Sequence, residues 1–247
     1  MRISFFEEFP TKQNLSKIKY VDFPTKLYLA AHSVTEFEKI SVQSPHVQEK
    51  IYWPILDKRE GYWLSPFSNH QALQRILHEL RESPVSVMWD AELPTTHNPA
   101  LLFKELPFFF SNRDKIRQFI SQRKNVSIAE YSGPPERMLY FLGLSFRDTS
   151  HYPIKMLYSS MHNYSKEAFR DAVSQAHKQY GKRLRIGLGT LAHGILGTEP
   201  MISSKMLERD LVITQDLGIE EVILFRLGGL NKEYARICKK FSTLASV

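Results

Sequence analysis

Eight short apolar runs, each followed by a stretch with helical spacing, constrain this chain more than any other feature. The runs are Arg2–Phe9, Lys26–Ala31, Lys50–Leu56, Val85–Ala91, Val126–Tyr131, Ile154–Ser159, Leu184–Leu191 and Glu221–Leu227. Each is rich in Ile, Val, Leu or aromatic residues and is bounded by Pro, Gly, Asn or Ser, as strands are. Strand followed by helix, repeated eight times, predicts the α/β class and a parallel (β/α)8 TIM barrel. A length of 247 residues suits one such barrel, so a single domain over 1–247 is expected. An open doubly wound sheet is the competing arrangement. No Gly-x-Gly-x-x-Gly turn follows the first strand, and Gly187-Leu188-Gly189 comes late with Ala192 at the third glycine position.

Start signals mark the helices between the runs. Ser33 with Glu36 forms a capping box, and Ser68 precedes a long segment with apolar residues at helical spacing. Ser111 or Asn112, Ser165, Ser203 or Ser204, and Asn231 supply further caps, and Pro134-Pro135 suits a first turn. The segment Lys12–Lys19 carries the weakest helical pattern.

Composition narrows the functional classes. The formal charge is +7, yet Lys and Arg are scattered, with only short groups such as Lys182-Arg183-Leu184-Arg185. A nucleic-acid stripe is absent from the pattern, so nucleic acid is not the expected partner. The single cysteine, Cys238, lies in the last helical segment and reads as a packing residue. No apolar run reaches membrane-spanning length, and the first residues lack the pattern of a signal peptide, so a cytoplasmic protein with no membrane partner is expected. The pattern implies no cofactor and no structural metal, because one Cys and no clustered His make no zinc-type ligand set. It leaves the oligomeric state open.

Side chains in a barrel strand alternate between interior and helix layer, and barrel sites lie at the carboxyl ends of the strands. In the fourth run Val85, Val87, Trp89 and Ala91 form the apolar face, which sends Ser86, Met88, Asp90 and Glu92 inward. Asp90 and Glu92 therefore emerge together at the mouth. The same reading turns Ser4, Phe6 and Glu8 inward in the first run, and Tyr28, Ala30 and His32 in the second. Arg226 is ambiguous, and Glu130 shares parity with Val126 and Ile128, which argues for the outer face although it ends its strand. Tyr158 ends the sixth run and His193 follows the seventh. The loop Arg59–Phe67 is aromatic and follows the third run, which makes Trp63, with Trp53 in the strand before it, a candidate substrate contact. Each choice has a plainer alternative: Glu8 as an ion-pair partner, His32 as a loop hydrogen bonder, and the tryptophans as core.

Paired carboxylates ringed by aromatic residues suit glycoside hydrolysis, in which one acid protonates the leaving oxygen and a second group stabilises or attacks the sugar carbon. Val87-Met88-Trp89-Asp90-Ala91-Glu92 resembles the strand-four signature of chitinase-like glycoside hydrolases, which ends Asp-x-Glu, and Met156-Leu157-Tyr158 is similar to that family's Met-x-Tyr. The resemblance implies Glu92 as the acid, Asp90 as the residue orienting a substrate acetamido group, and Tyr158 as its assistant. It also implies attack by the acetamido oxygen. Met88 and Val85 stand where the family has two earlier aspartates, and Ser159 stands where it has an acid or amide. With Asp90, Glu92 and Tyr158 as catalytic residues, the expected substrate-binding residues are Glu8, His32, Trp53, Trp63, Glu130 and Arg226. A metal-dependent sugar isomerase or endonuclease barrel is one alternative, using Glu8, His32, Asp90, Glu92, Glu130 and His193 as ligands. A non-catalytic barrel that binds a carbohydrate or a protein is the other.

Overall fold

The computed structural model describes residues 1–94, 98–130, 135–146 and 150–242. Its strands are β1 (Arg2–Glu7), β2 (Thr25–Ala31), β3 (Val47–Pro54), β4 (Val87–Ala91), β5 (Val126–Glu130), β6 (Tyr152–Met156), β7 (Arg185–Gly189) and β8 (Glu221–Phe225). They form one closed sheet in sequence order, parallel at the described pairings. This is the (β/α)8 barrel that the alternating pattern predicts.

Boundaries differ where a local interaction outweighs apolar content. β1 stops at Glu7, whose carboxylate accepts the Phe9 amide at 2.9 Å and turns the chain. β3 starts at Val47, before the predicted Lys50. Its polar first half is held by a Lys26–Glu49 ion pair at 2.7 Å and by Lys50 Nζ on the Ile40 carbonyl. β4 begins at Val87, after the predicted Val85. β6 ends at Met156, and Ser159 instead opens a short helix. Tyr131 and Pro134, assigned to a strand end and a helix start, lie outside the described residues.

The helices are α1 (Lys12–Leu15), α2 (Val34–Lys39), α3 (His70–Glu82), α4 (Leu101–Lys104), α5 (Phe109–Gln122), α6 (Glu136–Leu142), α7 (Ser159–His162), α8 (Lys166–Tyr180), α9 (Ser204–Asp216) and α10 (Lys232–Phe241). Ser165, Ser203 and Asn231 cap α8, α9 and α10 through side-chain oxygens, as their sequences predict. Ser33 Oγ receives the Glu36 amide, but the Glu36 carboxylate returns to the amide of His32, one residue before the expected partner. Asn69, not Ser68, caps α3; the Ser68 hydroxyl is buried and donates to the Trp63 carbonyl at 2.7 Å. α5 starts at Phe109, three residues earlier than expected, because Asn112 is a buried interior position whose amide reaches the Pro66 carbonyl. The segment after Lys12 gives one α-turn and then a 3-10 turn over Ser16–Tyr20.

Contacts divide the chain into two compact units: Met1–Leu29, Ile40–Ile51 and Ile154–Val247 in the first, Ala30–Lys39 and Tyr52–Pro153 in the second. In the first unit β1, β2, β7 and β8 share one interior. Tyr28 of β2 meets Arg185 of β7 at 3.1 Å, although β1 and β8 separate those strands, so these side chains point into the barrel. Glu221 accepts from Ser4 at 2.7 Å, from Tyr28 at 3.1 Å and from Arg185 at 3.1 Å. Phe6 lies above them, 5.2 Å from the Tyr28 ring and 6.4 Å from that of Phe225. Gly187 leaves room for Met156, whose sulfur would stand only 2.5 Å from a Cβ at that position.

In the second unit two contacts assign the faces. The Trp89 ring packs on Phe119 of α5 at 5.6 Å, and Tyr52 packs on Phe37 of α2 at 5.2 Å. Val87 pairs with Tyr52, so one row of β3 and β4 faces the helices and the alternate row faces inward. The helices reciprocate: α3 buries Ala72, Leu73, Ile76, Leu77 and Leu80 along a single stripe. Each such Leu or Ile contributes roughly 1.5–3 kcal/mol on burial.

Candidate active site

Asp90 lies on the inward row of β4, one position before the strand ends, and is 3 % exposed. Its backbone carbonyl accepts the amides of Leu64 and Glu92, both at 3.1 Å. Those two bonds tie the loop after β3 to the end of β4 and turn the chain tightly at Glu92. Glu92 is half-buried. The loop itself is held at many points. Gly61 turns it with a φ of +119°, where a side chain would be strained, and Asp57 with Glu60 makes a reciprocal cap. The buried Glu105 receives the His70 amide at 3.0 Å and the Asn69 side chain at 3.1 Å. Trp63 lies edge-on against Tyr62 at 5.4 Å and is 9 % exposed. Trp53 is buried on the inward row of β3, one residue before that strand ends.

The other expected residues of this unit have different surroundings. Glu130 pairs in register with Ala91, on the helix-facing row, as its parity implies. Its buried carboxylate stands 3.6 Å from His151 and receives the Phe146 amide at 3.4 Å. His32 is exposed, with Nδ1 3.9 Å from Asp57.

The first unit presents its own acids at the end of β1 and in the loop after β7. Glu7 and Arg226 form a 2.9 Å ion pair, which resolves the ambiguity over Arg226. Gly228 N–H and the Asn14 amide complete the Glu7 carboxylate at 2.6 and 3.3 Å. Burial raises the Glu7 pKa, and Arg226 with the two backbone donors pulls it back without cancelling the rise. Arg226 also donates from Nε to the His193 carbonyl at 2.8 Å, and its guanidinium covers Phe9.

Glu8 is buried and shares the inward row of Phe6. A Cβ added to Gly194 would stand 2.8 Å from Glu8 Oε2, 2.9 Å from Glu199 Oε1 and 2.8 Å from the Phe225 ring. One oxygen of each carboxylate thus lies within about 6 Å of the other. Glu199 is buried; Oε1 accepts the Leu196 amide at 3.2 Å, and Oε2 has no hydrogen-bond partner among the described residues. His193 is exposed, with Nδ1 2.8 Å from the Glu199 carbonyl. Tyr158 follows β6 on the row of Met156, and its ring lies 5.9 Å from that of Phe225.

Glu7, Glu105, His151 and Glu199 were not singled out by sequence. Only Glu7 carried a signal, since an acid directly before Glu8 at a strand end must find a partner. Among the described residues no three of His, Cys, Asp and Glu converge closely enough to hold a metal ion. No helix among them is long and apolar enough to cross a membrane.

No family model matches this chain, and no curated protein does. Solved structures match in fold. The PgaB (BpsB) glycoside hydrolase domain from Bordetella bronchiseptica aligns over 99 % of both chains at 13 % identity, with a TM-score of 0.57. The Bacillus megaterium QM B1551 spore cortex-lytic enzyme SleL gives 0.54 at 10 % identity, over 98 % of this chain and 74 % of its own. Active domain 2 of a chitinase from Pyrococcus furiosus gives 0.51 at 9 % identity, over 97 % and 94 %. The class is therefore a (β/α)8 barrel of the architecture found in glycoside hydrolases. At these identities the likeness establishes the fold.

Proposed function

We propose that this chain hydrolyses a glycosidic bond in a carbohydrate, with Glu92 as the proton donor and Asp90 beside it. The observation that carries this reading is the position of Asp90: buried at the carboxyl end of β4, on the face opposite Trp89, with Glu92 in the tight turn that follows. Two carboxylates that share one site oppose each other's ionisation, which is what a proton donor at working pH requires. Tyr158 keeps the assisting role that the resemblance to chitinase-like enzymes implies. Of the residues expected to bind substrate, this reading uses Trp53 and Trp63, which lie in the same unit as Asp90. Trp63 supplies an apolar face in a loop pinned by hydrogen bonds, which favours a preorganised wall.

The test is a panel of fluorogenic glycosides and polysaccharides, including N-acetylated ones. Wild-type protein is expected to cleave at least one. Glu92→Gln keeps shape and should reduce turnover by about 10²–10⁴-fold while leaving the melting temperature in place. If Glu92→Gln and Asp90→Asn both retain turnover within a few-fold, the assignment fails and Glu8 and Glu199 come next. Glycan binding without turnover by the wild-type protein would replace hydrolysis with a binding role.

A further inference from the structure

The segment Leu101-Leu102-Phe103-Lys104-Glu105-Leu106-Pro107-Phe108-Phe109-Phe110 is mostly apolar, yet it sits on the surface. Phe103 is 77 % exposed, Leu106 53 % and Phe110 59 %. Beside it on α6, Phe141 is 54 % exposed and Met138 46 %. Arg113 joins the two elements: its guanidinium lies 5.0 Å from the Phe110 ring and 5.7 Å from the Phe141 ring, and it donates to the Phe141 carbonyl. One continuous patch results. Monomeric soluble proteins rarely leave so many large apolar groups together in water without a use for them.

We propose that this patch docks on an anionic lipid surface, as a peripheral contact and not as a span. Two features select that occupant. The first is that cations already cover the faces of Phe109, Phe110, Phe141 and Tyr140. Arg113 serves Phe109, Phe110 and Phe141, and Arg117 lies 4.2 Å from the Tyr140 ring. Sugar rings need those faces for stacking, whereas acyl chains need only the exposed edges of Phe103, Leu106 and Phe110. The second is charge. Lys104 and Arg137 stand exposed among the apolar groups, and the whole chain carries +7. Asp114 is paired with Arg113 at 3.2 Å and Glu105 is held by the start of α3; among the described residues of these two elements Glu136 is the other acid. Apolar side chains with basic neighbours are the pattern that sinks into the headgroup boundary and holds phosphate there. A second copy fits less well, because two identical patches would bring Lys104 and Arg137 against their own kind. The contact stands independently of the hydrolytic reading, since none of its residues belongs to the proposed catalytic set.

Co-sedimentation of the whole chain with vesicles tests it, comparing phosphatidylcholine alone with a 3:1 mixture of phosphatidylcholine and phosphatidylglycerol. Binding to the mixed vesicles is expected, weakening as salt rises. The double variant Phe103→Ser, Phe110→Ser should lower that affinity at least about tenfold. Both side chains are exposed, so an unchanged melting temperature is expected to accompany the loss. Lys104→Glu with Arg137→Glu should give a smaller loss that high salt abolishes. Absence of binding to the mixed vesicles overturns the proposal, and so does binding that the phenylalanine variants leave intact. A dimer in sedimentation equilibrium that those variants dissolve also overturns it, in favour of a self-interface.

Discussion

Glu7, at the end of β1, and Glu199, in the loop after β7, are both buried glutamates in the same unit, and their surroundings separate two kinds of acid. At the β1–β8 corner both oxygens of Glu7 are answered from within: Arg226, Phe9 and Asn14 donate to Oε1, and Gly228 donates to Oε2. After β7, Glu199 receives one amide on Oε1 and has no described partner on Oε2. A buried acceptor without a partner costs about 1–3 kcal/mol, so a fold retains it where something else repays the cost. A saturated acid holds the mouth together, and a half-satisfied one is available to a ligand.

Glu7→Ala gives the largest expected effect on this contrast. It strands Arg226 and the backbone donors, and urea unfolding should show a loss of about 3–5 kcal/mol. The pH dependence of stability is the second test. Because burial raises the Glu7 pKa above the usual 4.5, the folded state holds that proton more tightly than the unfolded one. Its contribution is therefore greatest in acid and declines as pH climbs from the ordinary glutamate range through the raised value. Subtracting the stability profile of Glu7→Gln from that of wild type should expose this downward slope; a difference that rises with pH refutes the shift.

Glu199→Gln should behave in the opposite way. Its carbonyl keeps the Leu196 amide, so stability is expected to change by less than about 1 kcal/mol, while glycan affinity falls. A stability loss equal to that of Glu7→Ala would erase the distinction between the two acids. The smallest effect belongs to Cys238, remote from both. Burial pushes its thiol up to about 12, so iodoacetamide at pH 8 should label it only after denaturation. Rapid labelling of the native protein would contradict its burial.

Legibility followed the physics of period and partner. Strand and helix alternation was plain because burial gives short apolar runs in the strands and period 3.6 in the helices, and the Asp90 row could be read from the adjacent Trp89, which faces the helices. Boundaries were less legible where polar pairs extend an element, as Lys26 with Glu49 does for β3. Glu199 was invisible, since it sits in a loop with no period and acquires meaning only when Gly194 brings Glu8 beside it. His151 was missed for the same reason, as Glu130 is its neighbour in space and not in sequence.

The polar cluster of Ser4, Tyr28, Arg185 and Glu221 has a consequence for assembly of the barrel. β1 and β8 lie at opposite ends of the chain and form the seam where the sheet closes. A slip of β8 by one residue against β1 would turn Glu221 toward the helices and take its carboxylate away from Arg185. Apolar partners such as Val222 and Leu224 could tolerate that slip far better, because hydrophobic contact is indifferent to direction. The seam thus admits one registration, and the last strand to emerge is checked against the first.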